Sequence, residues 1–285
     1  MESMRDIKRR INSVESTRKI TRAMKMVAAA KLRNSQKKAE DARAFFQKTR
    51  KILADIVEYT VDAREHPLLI KKDGKRHLYI LITGDRGLCG AYNHRIIDLL
   101  ENNISEQEET NLLTIGKKGS NYFNRRGFNI ISEYIKIADY PDYGLAKRIG
   151  DEVISLYKDD IVDKVSLLYT HFDSALSQKP NVMSLLPVNS PEETEEYKHK
   201  IDYIYEPSPV EVLDILLPQY INNILYSALL ESKASEYGAR MTAMDSATEN
   251  ANEMIDELTL SYNRARQAEI TTEITEIVGG AEALK

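Results

Sequence analysis

Tryptophan is absent from the 285 residues, cysteine occurs once, at Cys89, and neither glycine nor proline appears between Met1 and His66. A single thiol excludes an intrachain disulfide and argues against a cysteine-built zinc centre. The histidines, His66, His77, His94, His171 and His199, show no metal-ligand spacing, and neither an H-E-x-x-H run nor a nucleophile elbow is present. No window approaches the roughly 18 uninterrupted apolar residues of a membrane span, and no apolar region follows the N-terminal charges as it would in a signal peptide. The adjacent pairs Asp159/Asp160 and Glu192/Glu193 read as solvated loop charge. These absences leave little room for catalysis and predict a cytosolic chain with a reduced thiol, compatible with a place at a membrane held through a partner.

Charge is plentiful and unevenly spread. The net charge is only −4, yet the first fifty residues carry 15 Lys and Arg against 5 Asp and Glu, while Glu211 to Lys285 carry 5 against 13. Oppositely charged ends are expected to meet. Seven of the eight prolines and nine of the twelve glycines fall between Pro67 and Pro209. Two long uninterrupted segments therefore flank one turn-rich region.

The first segment reads as a helix starting near Met4, where Ser3 and Asp6 form a capping-box pattern, and running to about Val61. Ile7, Val14, Thr21, Ala28, Ser35 and Ala42 repeat every seven residues, with Met4, Ile11, Leu32, Ala39, Phe46 and Leu53 on the companion row, which Arg18 and Lys25 interrupt. The last segment repeats the habit with Met241, Ile255 and Tyr262, and with Met244, Ala251, Leu258 and Ala265. Such narrow seams on two helices of opposite charge predict an antiparallel coiled coil, with a helical bundle as the alternative. At about 1.5 Å per residue the first helix is longer than a small core requires. The second, of about 65 to 70 residues, should outrun it by a turn or more, leaving ITTEITEIVGGAEAL unpaired. A short unpaired helix is marginal in water, so this end calls for a surrounding partner.

The middle alternates. HLYILIT, NLLTI, NIISEY and VSLLYT read as strands, with AYNHRIIDLLENN, SNYFNRRG and LAKRIGDEVISLY as helices between them, which implies a largely parallel sheet covered on both faces. NVMSLLPV and IDYIY follow without a helix and predict an antiparallel edge. The expected division is 1–61 for the first coiled-coil helix, 67–208 for an α/β domain and 209–285 for the second coiled-coil helix.

TGDRGLCGAYN, Thr83 to Asn93, is the most enzyme-like passage, because a glycine-bearing turn between strand and helix can present amides to a phosphate. Its glycines lie three apart and match neither G-x-G-x-x-G nor a P-loop, and Asp85 would repel a phosphate. A tight turn or protein-contact loop is the preferred reading. The basic first helix would suit nucleic-acid phosphates, but its cations share the helix with a heptad seam and no aromatic interleaves before Phe45.

Three stretches, KITRAMKMVAAAKL, TGDRGLCGAYN and ARQAEITTEITEIVGGAEAL, resemble the gamma subunit family of the F-type ATP synthases, bacterial type, along essentially the whole chain. The terminal signature is matched by Ile270, Thr271, Glu273, Glu276, Gly280 and Ala281. The paired thiols of the chloroplast forms are absent. The resemblance implies a rotor shaft whose coiled coil stands in a ring of three alpha and three beta subunits, with the α/β domain as a foot on the c-ring beside epsilon. It implies no cofactor, metal or catalytic residue in the chain itself, no nucleic-acid partner and no membrane span, and a peripheral place at the cytoplasmic face of the cell membrane. Partner contacts are implied at Met24 and Lys25 on the first helix and at Arg266, Gln267, Thr271 and Glu273 on the last. Gly87, Leu88 and Cys89 are implied in the foot, and Tyr203 and Tyr205 toward the c-ring. A static coiled-coil scaffold is the competing reading.

Overall fold

The computed structural model describes residues 3–59, 66–105, 107–188 and 208–282, with the side chains of 41–59, 209 and 282 outside the description. The elements are α1 (Met4–Tyr59), β1 (Arg76–Ile82), α2 (Tyr92–Asn103), β2 (Glu109–Ile115), α3 (Lys117–Arg125), β3 (Asn129–Tyr134), α4 (Tyr143–Lys158), β4 (Lys164–Phe172), β5 (Gln178–Leu186) and α5 (Pro209–Glu282). They divide into two compact units, 1–27 with 241–285, and 28–240.

In the first unit α1 and α5 run antiparallel. Arg18 donates to Asn252, the Thr21 and Thr248 hydroxyls meet at 2.8 Å, and Lys25 pairs with Asp245 at 2.5 Å, so the α5 number falls as the α1 number rises. Ile7 and Thr21 on α1 and Met244 and Ala251 on α5 are buried, all on the heptad rows. The expected cap forms: the Asp6 amide donates to Ser3 Oγ, whose hydroxyl donates to the Asp6 carboxylate at 2.7 Å.

The second unit holds a five-stranded sheet in the order β3-β2-β1-β4-β5, parallel except for the β4–β5 pair. The alternation of β1 sends Leu78, Ile80 and Ile82 to a core built with α4 and α5, and Tyr79 and Leu81 to a core built with α2 and α3. A Cβ on Gly150 of α4 would lie 1.8 Å from the Asn222 amide oxygen, so a larger residue there would have to displace the buried Asn222 side chain that lies between α4 and α5. On the α1 portion of this unit, Ala28, Leu32, Ser35 and Ala39 are buried, continuing the heptad rows.

The strands and α2 to α4 fall where the sequence places them, with shifts at their ends. The stretch IDYIY lies outside the described residues. The last helix is longer than expected, 74 residues with Pro218 inside it. Its start is capped by Ser208, whose Oγ accepts from the Glu211 amide and donates to the Glu211 carboxylate, ahead of Pro209 at the first turn, where a missing amide hydrogen costs nothing. Pro218 deprives the Asp214 carbonyl of its helical donor, and Asp214 is exposed to water that can replace it.

Candidate functional site

The crevice outside the carboxyl ends of β1 and β4 is where the strand order reverses, and open α/β sheets bind ligands at such a point. Here α5 fills it. The Tyr92 hydroxyl donates to the Ser232 carbonyl, the Thr170 amide donates to Ser232 Oγ, and Ser235 Oγ donates to the Thr170 carbonyl. The residual cavity, about 10 Å³ and lined by Thr83, Tyr92, Ser232, Lys233 and Glu236 among others, has room for about one water and not for a nucleotide.

Next to this crevice the glycine turn is held from α5. Arg240 Nη2 donates to the Gly87 carbonyl at 3.2 Å and to Glu236 at 2.7 Å, and Lys233 meets the other Glu236 oxygen at 3.1 Å. Burial pushes the Arg240 guanidinium down, but the neighbouring Glu236 carboxylate outweighs it and holds the group above its ordinary value. Both cations and the carboxylate are almost wholly buried, so each depends on the others.

Within the turn, the Gly84 amide donates to Asn93 Oδ1 at 2.8 Å. Cys89 is buried, accepts from Asn93 Nδ2, and has its thiol pushed up by burial, so it packs rather than reacts. Leu88 is the reverse case, 63 % exposed and held at φ +60°, a conformation rarely adopted by a bulky residue. Asp85 does more than repel a phosphate. Its carboxylate itself takes the amides of Lys117, Lys136 and Ile137, the first of which opens α3. A Cβ on Gly116, which sits at φ +95°, would lie 2.1 Å from the Thr83 carbonyl oxygen, so glycine is what brings α3 this close to β1.

The far end of α5 presents the opposite chemistry. Carried along the register of the Lys25–Asp245 and Arg18–Asn252 pairs, Met4 comes level with Arg266, and Gln267 to Glu282 lie beyond the first residue of α1. That overhang is about four turns. Every residue from Arg266 to Ala281 is exposed. Ile270, Ile274, Ile277 and Val278, at 47 %, 56 %, 72 % and 61 % exposure, recur at the spacing of one helical face. Thr271, Thr272 and Thr275 donate their hydroxyls back to Gln267, Ala268 and Thr271 carbonyls, so the polar side of this stretch is partly self-satisfied while the apolar side is not.

The residues singled out from the sequence thus fall into separate places. Arg266, Gln267, Thr271 and Glu273 are exposed on the overhang. Met24 is half-buried and Lys25 is engaged by Asp245, while Ile20, Met26 and Val27 beside them are exposed. Gly87, Leu88 and Cys89 share the turn against Arg240, and Tyr203 and Tyr205 lie outside the described residues. The Lys233–Glu236–Arg240 network escaped the sequence reading. Its signal was the one-sided spacing of three charges in a segment otherwise made of small and apolar residues. Among the described residues no helix is long and apolar enough to cross a membrane.

A family model described as ATP synthase matches residues 3–284. Two curated relatives, each called ATP synthase gamma chain, are similar over the full length of both chains: that of Halothermothrix orenii at 62 % identity and that of Heliobacterium modesticaldum at 50 %. Among solved structures, a chain of the Tetrahymena thermophila mitochondrial ATP synthase central stalk and c-ring is 28 % identical with a TM-score of 0.62, covering 80 % of this chain and 99 % of that one. A chain of the Euglena gracilis mitochondrial ATP synthase rotor, 20 % identical with a TM-score of 0.70 over 94 % and 98 %, shares the fold.

Proposed function

The chain belongs to the ATP synthase gamma-chain family, and from that premise we propose that it is the central rotor shaft coupling ion flow through a membrane sector to ATP synthesis or hydrolysis on an alpha3beta3 ring. Its partners are the alpha and beta subunits around the shaft, and epsilon and the c-ring at the foot. In this reading residues 1–61 and 209–285 are the shaft helices and 67–208 the foot. The chain carries no catalytic residue. It sits peripherally at the cytoplasmic face of the cell membrane as part of the complex.

The observation that carries the reading is the apolar stripe Ile270–Ile274–Ile277–Val278 on a helix end that outruns its partner. Burying one such side chain gains roughly 1.5–3 kcal/mol, so the stripe is unfavourable in water and favourable inside a sleeve of other chains. Hydrophobic contact is non-directional, so a tip held this way loses no specific bond as it turns. An asymmetric shaft touches three equivalent catalytic subunits differently, and only such differential contact can shift their conformations. Met24, Lys25, Arg266, Gln267, Thr271 and Glu273 are the proposed ring contacts, and Gly87, Leu88 and Cys89 form the motif placed at the rotor assembly in the foot. Tyr203 and Tyr205 are proposed toward the c-ring.

The test is co-purification with an alpha and beta assembly, followed by rotation of a probe fixed to the foot. Arg266→Ala with Gln267→Ala should impair coupling while the chain still folds, and Met24→Lys should lower ion pumping per ATP. A complex that couples normally without the chain would reject the shaft in favour of a static scaffold.

A further inference from the structure

We propose that Asp85 is a positioning residue whose carboxylate occupies a cluster of backbone amides as a built-in anion, and so holds the β3–α4 loop in the form that grips α1. The proposal rests on the rotor reading only for its consequence, not for its geometry. Asp85 Oδ1 accepts from the amides of Lys117 at 3.0 Å and Lys136 at 3.2 Å, and Oδ2 from that of Ile137 at 2.8 Å. The Lys117 amide is one of the unpaired donors at the start of a nine-residue helix, where a negative charge is favoured. Lys136 stands at φ +57°, a left-handed turn in a residue that does not favour it, and bonds from its own amide and the next one to a single carboxylate compensate the strain.

The residues just past that turn reach α1. Asp139 accepts from Lys31 at 2.6 Å and from the Tyr237 hydroxyl at 2.7 Å. The Tyr140 hydroxyl accepts from Asn34 at 3.1 Å, and the Lys38 ammonium lies 4.9 Å from the Tyr140 ring centroid. The loop is therefore a polar clasp between the sheet and two helices, and its shape is set on the sheet side by the Asp85 carboxylate. In a turning shaft this clasp is one route by which torque passes between the foot and α1.

The experiment compares hydrogen exchange in the full chain and in Asp85→Gly, at peptides covering 135–142 and 28–40, in excess sodium formate and in sodium chloride of the same ionic strength. Loss of a charge-assisted bond set should speed exchange at both peptides by roughly tenfold or more. Formate entering the vacated amide cluster should restore protection where chloride does not. Should Asp85→Gly fail to fold, Asp85→Asn, which keeps one acceptor oxygen, should show the same pattern more weakly. Unaltered exchange, or faster exchange that formate leaves untouched, overturns the proposal. In the assembled complex, Asp85→Gly should also pump fewer ions per ATP in chloride than in formate. Exchange rescued by formate with a wild-type pumping ratio throughout would uphold the positioning role and remove the clasp as a route for torque, leaving the rotor reading to its own test.

Discussion

Two stretches of α5, Leu229 to Arg240 and Arg266 to Ala281, are both rich in small residues, carboxylates and branched apolar side chains, yet the chain treats them oppositely. The first is buried along nearly its whole length and every charge in the Lys233–Glu236–Arg240 set has a partner within the protein. The second is exposed at every position and leaves four branched apolar side chains in water. The difference teaches where the helix is meant to be fixed. A buried network of directional bonds tolerates one arrangement only, whereas an apolar stripe without a partner among the described residues accepts any surface that excludes water.

The comparison breaks first, and hardest, at Glu236. Glu236→Ala leaves Lys233 and Arg240 buried without a counter-charge and should destabilise the chain by about 3–5 kcal/mol in denaturant unfolding. A loss below about 1 kcal/mol would show that the first stretch is no more fixed than the second.

Asp163 sharpens the same side of the comparison through pH. It receives the Arg76 side chain at 2.7 and 2.9 Å and the Arg76 amide at 3.0 Å, and the bonds from Arg76 hold its carboxyl below the ordinary value. A lowered carboxyl contributes stability above its unfolded value, about 3.9, and loses it as pH falls through the folded value. The unfolding midpoint should therefore decline with acid below about pH 4, and Asp163→Asn should lower the neutral plateau by roughly 1.5–3 kcal/mol while making that decline shallower.

A smaller effect is expected at Lys25 and Asp245, which pair across α1 and α5 but are each about two-fifths exposed. Replacing both, Lys25→Met with Asp245→Leu, should change stability by no more than about 1 kcal/mol, because an exposed pair gains little over water. Thermal unfolding of the chain reads it directly. A larger loss would mean that this pair fixes the two helices as firmly as the buried network fixes the sheet.

What the sequence disclosed follows the same divide. The heptad rows on α1 foretold the buried positions, Ile7, Thr21, Ala28, Leu32, Ser35 and Ala39, because a seven-residue period reports a seam regardless of what lies beyond it. The strands were legible as short apolar runs between turns. The Ser208–Glu211 cap was not picked out, although it is a polar signal two to three turns ahead of Pro218 that starts α5 before that proline. The roles of Asp85 and Glu236 were hidden because each depends on partners brought in from other elements. Asp85 reads as a charge hostile to an anion until its three amide donors, 32 to 52 residues away, are seen around it. The exposed tip was legible, as a helix too long for its partner: the stretch expected to stand unpaired, ITTEITEIVGGAEAL, falls within the observed overhang of about four turns except for its last residues.

The smallest effect on folding is expected at that tip, and there the comparison is most exposed to failure. Ile274→Asp with Ile277→Asp replaces two side chains that are more than half exposed, so unfolding of the isolated protein should move by no more than about 0.5 kcal/mol. In the complex the same change sets two carboxylates in an apolar sleeve, where each must be desolvated without a partner. Assembly with the ring, or ion pumping per ATP, should fall sharply while circular dichroism and unfolding of the free chain stay as in the wild type. Ile274→Leu with Ile277→Leu, which keeps the surface apolar, should preserve coupling, because the proposed contact asks for exclusion of water and not for a particular shape. If the aspartates couple normally the stripe is not held by a partner. If the leucines fail as badly as the aspartates, the tip is gripped by shape and belongs with the fixed stretch after all.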